Sequence, residues 1–306
     1  MKERYIKLKN KYFYGVNEIY EDISDFIGNK SYNTFLLHSN GIKVPKSIFI
    51  NINFFDCYYN DIAEFNKGIL EIQNYLKNNN FTNSLAIRSS ALLINSSGKI
   101  IKEDSEALSM AGWFKSNLNV HISDIKGAII DCYSIINSNI LKQNIKNHFG
   151  DNFKIKIALL IQDFYEAQKS AVIFTKSPYS FNKGNFLINT TYGACHGIVS
   201  GEITGDAYWI NRTNYTTIQK NISTKRQMYV NNTHTITLVD VPKQLQKKET
   251  LSKYDLNTLV KLGMSIEKIF NFPQDIELIY HPIYNWIVVQ TRGINYWRIQ
   301  NVKFNR

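Results

Sequence analysis

A chain of 306 residues with a formal net charge of +11, 44% hydrophobic and 20% charged residues is globular in composition, and long enough for one large domain or two modest ones. Its apolar runs are strand-sized, residues 1–5 lack the apolar core of a secretory signal, and 15 Gly with 5 Pro are too few for long flexible linkers. The cations are scattered among Asn, Ile and Tyr without a recognised nucleic-acid motif, so the sequence calls for neither a nucleic-acid nor a membrane partner.

In chain order, Asn17–Phe26 and Tyr32–Ser39 read as helices, and Pro45 opens a strand over Ser47–Ile52. Asn66–Asn78 has helical apolar spacing at Ile69, Ile72 and Leu76. Ser84–Arg88 is a short strand ending in Arg88-Ser89-Ser90, Asn95–Asp104 a loop, and Ser123–Ser138 a helix. A second block begins near Lys156. Lys156–Phe164, Ser170–Thr175, Asn185–Thr190 and Asp206–Asn211 read as strands, Gln227–Val230 and Thr235–Val239 as a hairpin around Asn231-Asn232, and Asp255–Ile269 as a helix before two closing strands. The mixture predicts an α/β to α+β class. Cys57, Cys132 and Cys195 are an odd number with no metal-like spacing, and read as reduced thiols of a cytosolic protein.

The closing strands carry the densest chemistry. Asp275 and Glu277 are two apart and project from one strand face, as do Gln290 and Arg292 on the next strand. Carboxylates, an amide oxygen and a guanidinium on one sheet face suit Mg²⁺ and a polyphosphate. The alternative is a solvent-facing strand pair with salt bridges.

Pro273-Gln274-Asp275-Ile276-Glu277, followed by Val289-Gln290-Thr291-Arg292, resembles the end of the nucleotide-binding domain of the phosphoenolpyruvate synthase and pyruvate phosphate dikinase family. Further segments agree in order: Gly28-Asn29-Lys30, Gly41-Ile42-Lys43-Val44-Pro45, Ala86-Ile87-Arg88-Ser89-Ser90, Glu103-Asp104 with Ser109 and Ala111-Gly112, Ile161-Gln162, Ser170–Thr175 with Pro178, and Val199-Ser200-Gly201 with Thr204 and Asp206. The resemblance runs from about Gly28 to about Ile294. It implies an ATP-grasp-like arrangement, two subdomains split near residue 155 (1–155 and 156–306) that clasp ATP·Mg²⁺.

The resemblance implies roles residue by residue. Lys30, Arg88 and Arg292 contact phosphates and offset charge as a phosphoryl or pyrophosphoryl group leaves. Glu277 and Gln290, with Asp275 beside them, hold Mg²⁺. Gly112 and Ser116 belong to a lid over the phosphates, and Gln162 lies close to the adenine. For each residue a plainer role stays open: a solvated turn lysine for Lys30, a structural ion pair for Arg88, an outward polar residue for Gln162. The chain also departs from the family. Asn29 replaces a Gly, Ala171 replaces another, and Trp113 and Phe114 stand where Gln-Gln is usual, as lid or as core residues. Cys195-His196 superficially resembles a phospho-accepting histidine motif, but chain order puts His196 where the family has a Glu.

The implied activity is an ATP- and Mg²⁺-dependent phosphotransferase domain that passes the group to a carrier histidine. No carrier or acceptor domain is expected within these 306 residues, which leaves a carrier on another polypeptide as the expected partner. A direct small-molecule kinase or ligase, or an ATP-binding regulator without turnover, are the alternatives.

Overall fold

The computed structural model describes residues 12–19, 22–104, 110, 112–150, 152–178, 184–232 and 235–294. Contacts divide the chain into two compact units, residues 1–35 with 45–164, and residues 36–44 with 165–306. The division follows Phe164 rather than residue 155, because the strand through residue 155 is the centre of the first unit's sheet.

The first unit contains β1 (Phe13–Gly15), α1 (Ser24–Ser39, its last turn assigned to the second unit), β2 (Ser47–Ile50), α2 (Ile52–Asn60), α3 (Ile62–Asn78), β3 (Ser84–Asn95), β4 (Ile100–Lys102), β5 (Ser116–His121), α4 (Ile125–Ser134), α5 (Asn139–Phe149) and β6 (Phe153–Asp163). The strands form an antiparallel sheet ordered β1-β2-β6-β3-β4, with β5 also paired to β3. One face packs on α2, α3 and α4. Phe65, Ile69, Ile72 and Leu76 of α3 repeat at helical spacing and meet Ile48, Ile87, Leu159 and Ile161. Asp61 caps α3, its side chain accepting from the Glu64 amide. On the other face Ile27 of α1 packs with Tyr14, Phe49 and Leu160.

Several boundaries differ from the sequence reading. The stretch read as a helix over Asn17–Phe26 holds a 3₁₀ turn over Val16–Glu18, and α1 starts only at Ser24, where Asp22 accepts from the Ser24 amide. β3 runs to Asn95, because Ala91, Leu92 and Leu93 are apolar enough to remain in the sheet against β6. The loop over Asn95–Asp104 contains β4, turned by Asn95, whose side chain accepts from the Ser97 and Lys99 amides. The helix read over Ser123–Ser138 ends at Ser134. Ser138 then caps α5, which sequence reading missed.

The second unit contains β7 (Lys169–Phe174), β8 (Phe186–Tyr192), α6 (His196–Ser200), β9 (Asp206–Ile210), β10 (Thr217–Asn221), β11 (Gln227–Asn232), β12 (Thr235–Asp240), α7 (Lys253–Phe270), β13 (Gln274–His281) and β14 (Asn285–Gly293). Its six-stranded sheet is antiparallel, ordered β10-β9-β8-β7-β13-β14, with β11-β12 a separate pair. Ala171, Ile173, Ile188, Ile276, Leu278 and Val288 cover one face and pack on α7 through Leu259, Val260 and Ile266. Asp255 completes a capping box with Ser252 and also accepts from Lys169 Nζ at 2.7 Å and Trp286 Nε1 at 3.0 Å, tying helix to sheet. Asp206 and Lys225 form a fully buried ion pair at 2.6 Å, and Asp206 also accepts from the Ser223 and Thr250 amides and the Thr250 hydroxyl.

Candidate functional site

In the second unit, register fixes the group on β13 and β14. Glu277 stands directly opposite Gln290, and Asp275 opposite Arg292. Both pairs lie on the face away from α7, since Ile276, Leu278 and Val288 fill the other. A bulge makes this possible. Glu277 pairs with Gln290 and Leu278 with Val288, so Val289 is the extra residue. Arg292 donates through Nε and Nη2 to Oδ2 of Asp275, at 2.9 and 2.8 Å. That contact holds the guanidinium through one oxygen of Asp275, the residue that the sequence suggested beside Glu277 and Gln290 as a metal ligand. The half-buried Glu277 carboxylate has no hydrogen bond or ion pair among the described residues.

Mg²⁺ keeps several waters and takes one or two carboxylates together with phosphate oxygens. Glu277 with the Gln290 amide oxygen fits that demand. Among the described residues no group of three or more His, Cys, Asp or Glu side chains is arranged to hold a metal.

In the first unit Arg88, Ser90 and Gln162 share the sheet face that α1 covers, and Ser116 stands opposite Arg88. α1 kinks at Gly28, where φ is +70°. A Cβ there would lie 2.7 Å from the Ser90 carbonyl oxygen, so glycine is required both for the turn and for the approach to β3. The kink places Lys30 in the helix proper. Its amide donates to Ser90 Oγ at 3.1 Å, and its ammonium donates to the Ser89 carbonyl at 3.0 Å and to Glu103. Asp104 lies 3.6 Å from the same nitrogen. Lys30 is thus a buried, ion-paired residue, not a solvated turn lysine. Burial opposes its charge, but Glu103 and Asp104 outweigh burial and raise its pKa, with Arg88 close enough to push the other way. Burial raises the Glu103 carboxyl to about 7 against the pull of Lys30.

Gln162 is buried at the end of β6, its amide donating to Ser47 Oγ at 3.4 Å. Gly112 is exposed, with φ of +77°. Trp113 and Phe114 are half-buried and pack against the cluster of Leu93, Met110, Leu141 and Ile145. Ser109 and Ala111 of the same motif lie outside the described residues. His196 begins the short α6, exposed, with its ring edge-on to Tyr229 at 5.5 Å. Sequence reasoning missed Glu103 as the partner of Lys30. The acidic Glu103-Asp104 pair after an apolar strand was the available signal.

The chain matches the pyruvate phosphate dikinase AMP/ATP-binding domain family over residues 60–304, and belongs to that family. It is similar to a probable phosphoenolpyruvate synthase of Methanocaldococcus jannaschii, 34% identical over 131 residues, 42% of this chain and 11% of that protein. It is also similar to the uncharacterized phosphotransferase YvkC of Bacillus subtilis, 23% identical over 90% of this chain and 34% of that protein. A rifampicin phosphotransferase of Bacillus cereus is 28% identical over 73% of this chain and 24% of that protein. The chain therefore spans between 11% and 34% of the length of these relatives. Among solved structures it is similar to an L-amino acid ligase of Bacillus licheniformis, with TM-score 0.37 and 9% identity over 87% of this chain and 43% of that one.

Proposed function

We propose that this chain binds ATP·Mg²⁺ and serves as the phosphoryl-donor domain of a phosphotransferase. The observation that carries this reading is the pairing of Glu277 with Gln290, in a row beside the clamped Arg292. Glu277 and Gln290 would hold Mg²⁺, which neutralises charge on the phosphate oxygens when bound. Arg292, oriented by Asp275, and Arg88 would take phosphate oxygens, as guanidinium forks do. Gly112 and Ser116 belong to the segment read as a lid, and Gln162 to the adenine end. The group would pass, as a phosphoryl or pyrophosphoryl, to a histidine on a separate domain or polypeptide.

Calorimetric titration with ATP, with and without Mg²⁺, tests this reading. Mg²⁺-dependent binding that Glu277→Gln abolishes is expected. Binding that ignores both Mg²⁺ and Glu277→Gln would remove the metal assignment, and no binding at all would remove the site.

One observation favours a second reading, a nucleotide-binding chain without turnover. The Lys30 ammonium is engaged by Ser89, Glu103 and Asp104, so a phosphate reaches it only by displacing Glu103. Mg²⁺-dependent binding with no ADP or AMP formed in the presence of any phospho-acceptor protein would support it.

A further inference from the structure

The row of the second sheet that carries Gln290 and Glu277 continues across the other strands. Glu277 pairs with Val172 on β7, Val172 with Asn189 on β8, and Asn189 with Ala207 on β9. Strands spaced about 4.8 Å apart put Asn189 about 10 Å from Glu277, on the same face. Side chains stand roughly perpendicular to a sheet, so the two cannot ligate one ion with bonds of about 2.1 Å.

The half-buried Asn189 amide has no hydrogen-bond partner among the described residues. In the next row on this face Ser170 stands opposite Thr191, and their fully buried hydroxyls have none there either. Buried polar groups without partners are uncommon in native folds and call for an explanation, such as a bound group. The side chains bordering Asn189 on this face are Val172, Ala207, Leu187 and Thr191, and none is a cation. A phosphate oxygen would lack countercharge there. An amide that both donates and accepts, set among neutral neighbours, matches a hydroxyl pair instead.

We propose that Asn189 binds the ribose hydroxyls of the nucleotide whose Mg²⁺ sits at Glu277 and Gln290; this rests on the nucleotide reading given above. The test compares calorimetric affinities for Mg·ATP and Mg·2′,3′-dideoxy-ATP in the wild-type chain, Asn189→Ala and the near-isosteric Asn189→Asp. The wild type is expected to prefer ATP by about three- to tenfold, the worth of one or two neutral hydrogen bonds. Asn189→Ala is expected to erase that preference by weakening ATP alone. Asn189→Asp keeps an acceptor for a hydroxyl and is expected to retain it. Equal affinities for both nucleotides in the wild type, or an equal loss for both in either variant, overturn the proposal and leave the metal site standing. A wild type that binds neither nucleotide overturns both readings, whereas loss of binding in Glu277→Gln with the ribose preference intact in the wild type keeps both.

Discussion

Lys30 and Glu103 lie 73 residues apart in sequence and form a buried ion pair, with Glu103 Oε2 also accepting from the Ala91 amide at 3.0 Å. The pair joins α1 to the segment after β4 and neutralises the cation that the family pattern assigns to phosphate. Glu103→Gln removes that competitor while keeping a group that can still accept from Ala91. It is expected to tighten Mg·ATP binding by about tenfold, whereas Lys30→Met weakens it. Titration calorimetry of both variants checks the opposite signs.

The same carboxyl gives a pH signature. Burial raises its pKa to about 7 from the ordinary 4.5, so the folded chain holds this proton more tightly than the unfolded chain. The stability it contributes is complete below pH 4.5 and is lost as pH rises through about 7. Denaturant unfolding across that window is expected to show a fall on the order of 1–3 kcal/mol that Glu103→Gln lacks.

Asp275→Asn leaves Arg292 in place without its charged clamp. Nucleotide affinity is expected to fall by about tenfold while Mg²⁺ dependence remains. Glu277→Gln should instead abolish the Mg²⁺-dependent binding itself. A magnesium titration at fixed ATP separates the two.

Asp206→Ala strands the fully buried ammonium of Lys225 and frees the donors of Ser223 and Thr250. The cost expected is about 3–5 kcal/mol of unfolding free energy. Replacing both partners, as Asp206→Leu with Lys225→Met, is expected to recover much of it, and chemical denaturation of the single and double variants reads the difference.

Gly28→Ala forces a side chain into a left-handed conformation and against Ser90. Strain of about 1–3 kcal/mol is expected from the backbone alone, since ψ at Gly28 is 170° and side-chain-bearing residues hardly populate that region. Thermal unfolding should register it, and ATP binding should weaken with it because Lys30 follows two residues later.

How far the sequence could be read depended on the range of the forces involved. The strands β7, β13 and β14 were legible because their alternation is local, and the motif residues Glu277, Gln290 and Arg292 fell on the face expected for them. The engagement of Asp275 by Arg292 was not legible as such, because spacing tells which side chains share a face and not which one claims the other. Glu103 escaped for a related reason: its partner lies 73 residues away, and only the fold closes that distance. Of the helix read over Asn17–Phe26 only the part from Ser24 is α-helix, because Ile19 and Ile23, apolar at helical spacing, pack into the core without themselves lying in a helix.

The bulge at Val289 sets where the last strand can change length. Upstream of it, Trp286 and Val288 point to the α7 side, and downstream Gln290 and Arg292 point to the opposite one. Deleting Val289 would leave every one of these side chains on its present face. Deleting Val288 or Gln290 instead would also remove the bulge, Val289 taking the vacated position, and would leave Trp286 and Arg292 on their present faces, whereas a deletion farther along the strand would turn over the residues between it and the bulge. Natural gaps in this strand should therefore fall at Val289 or at the residue on either side of it.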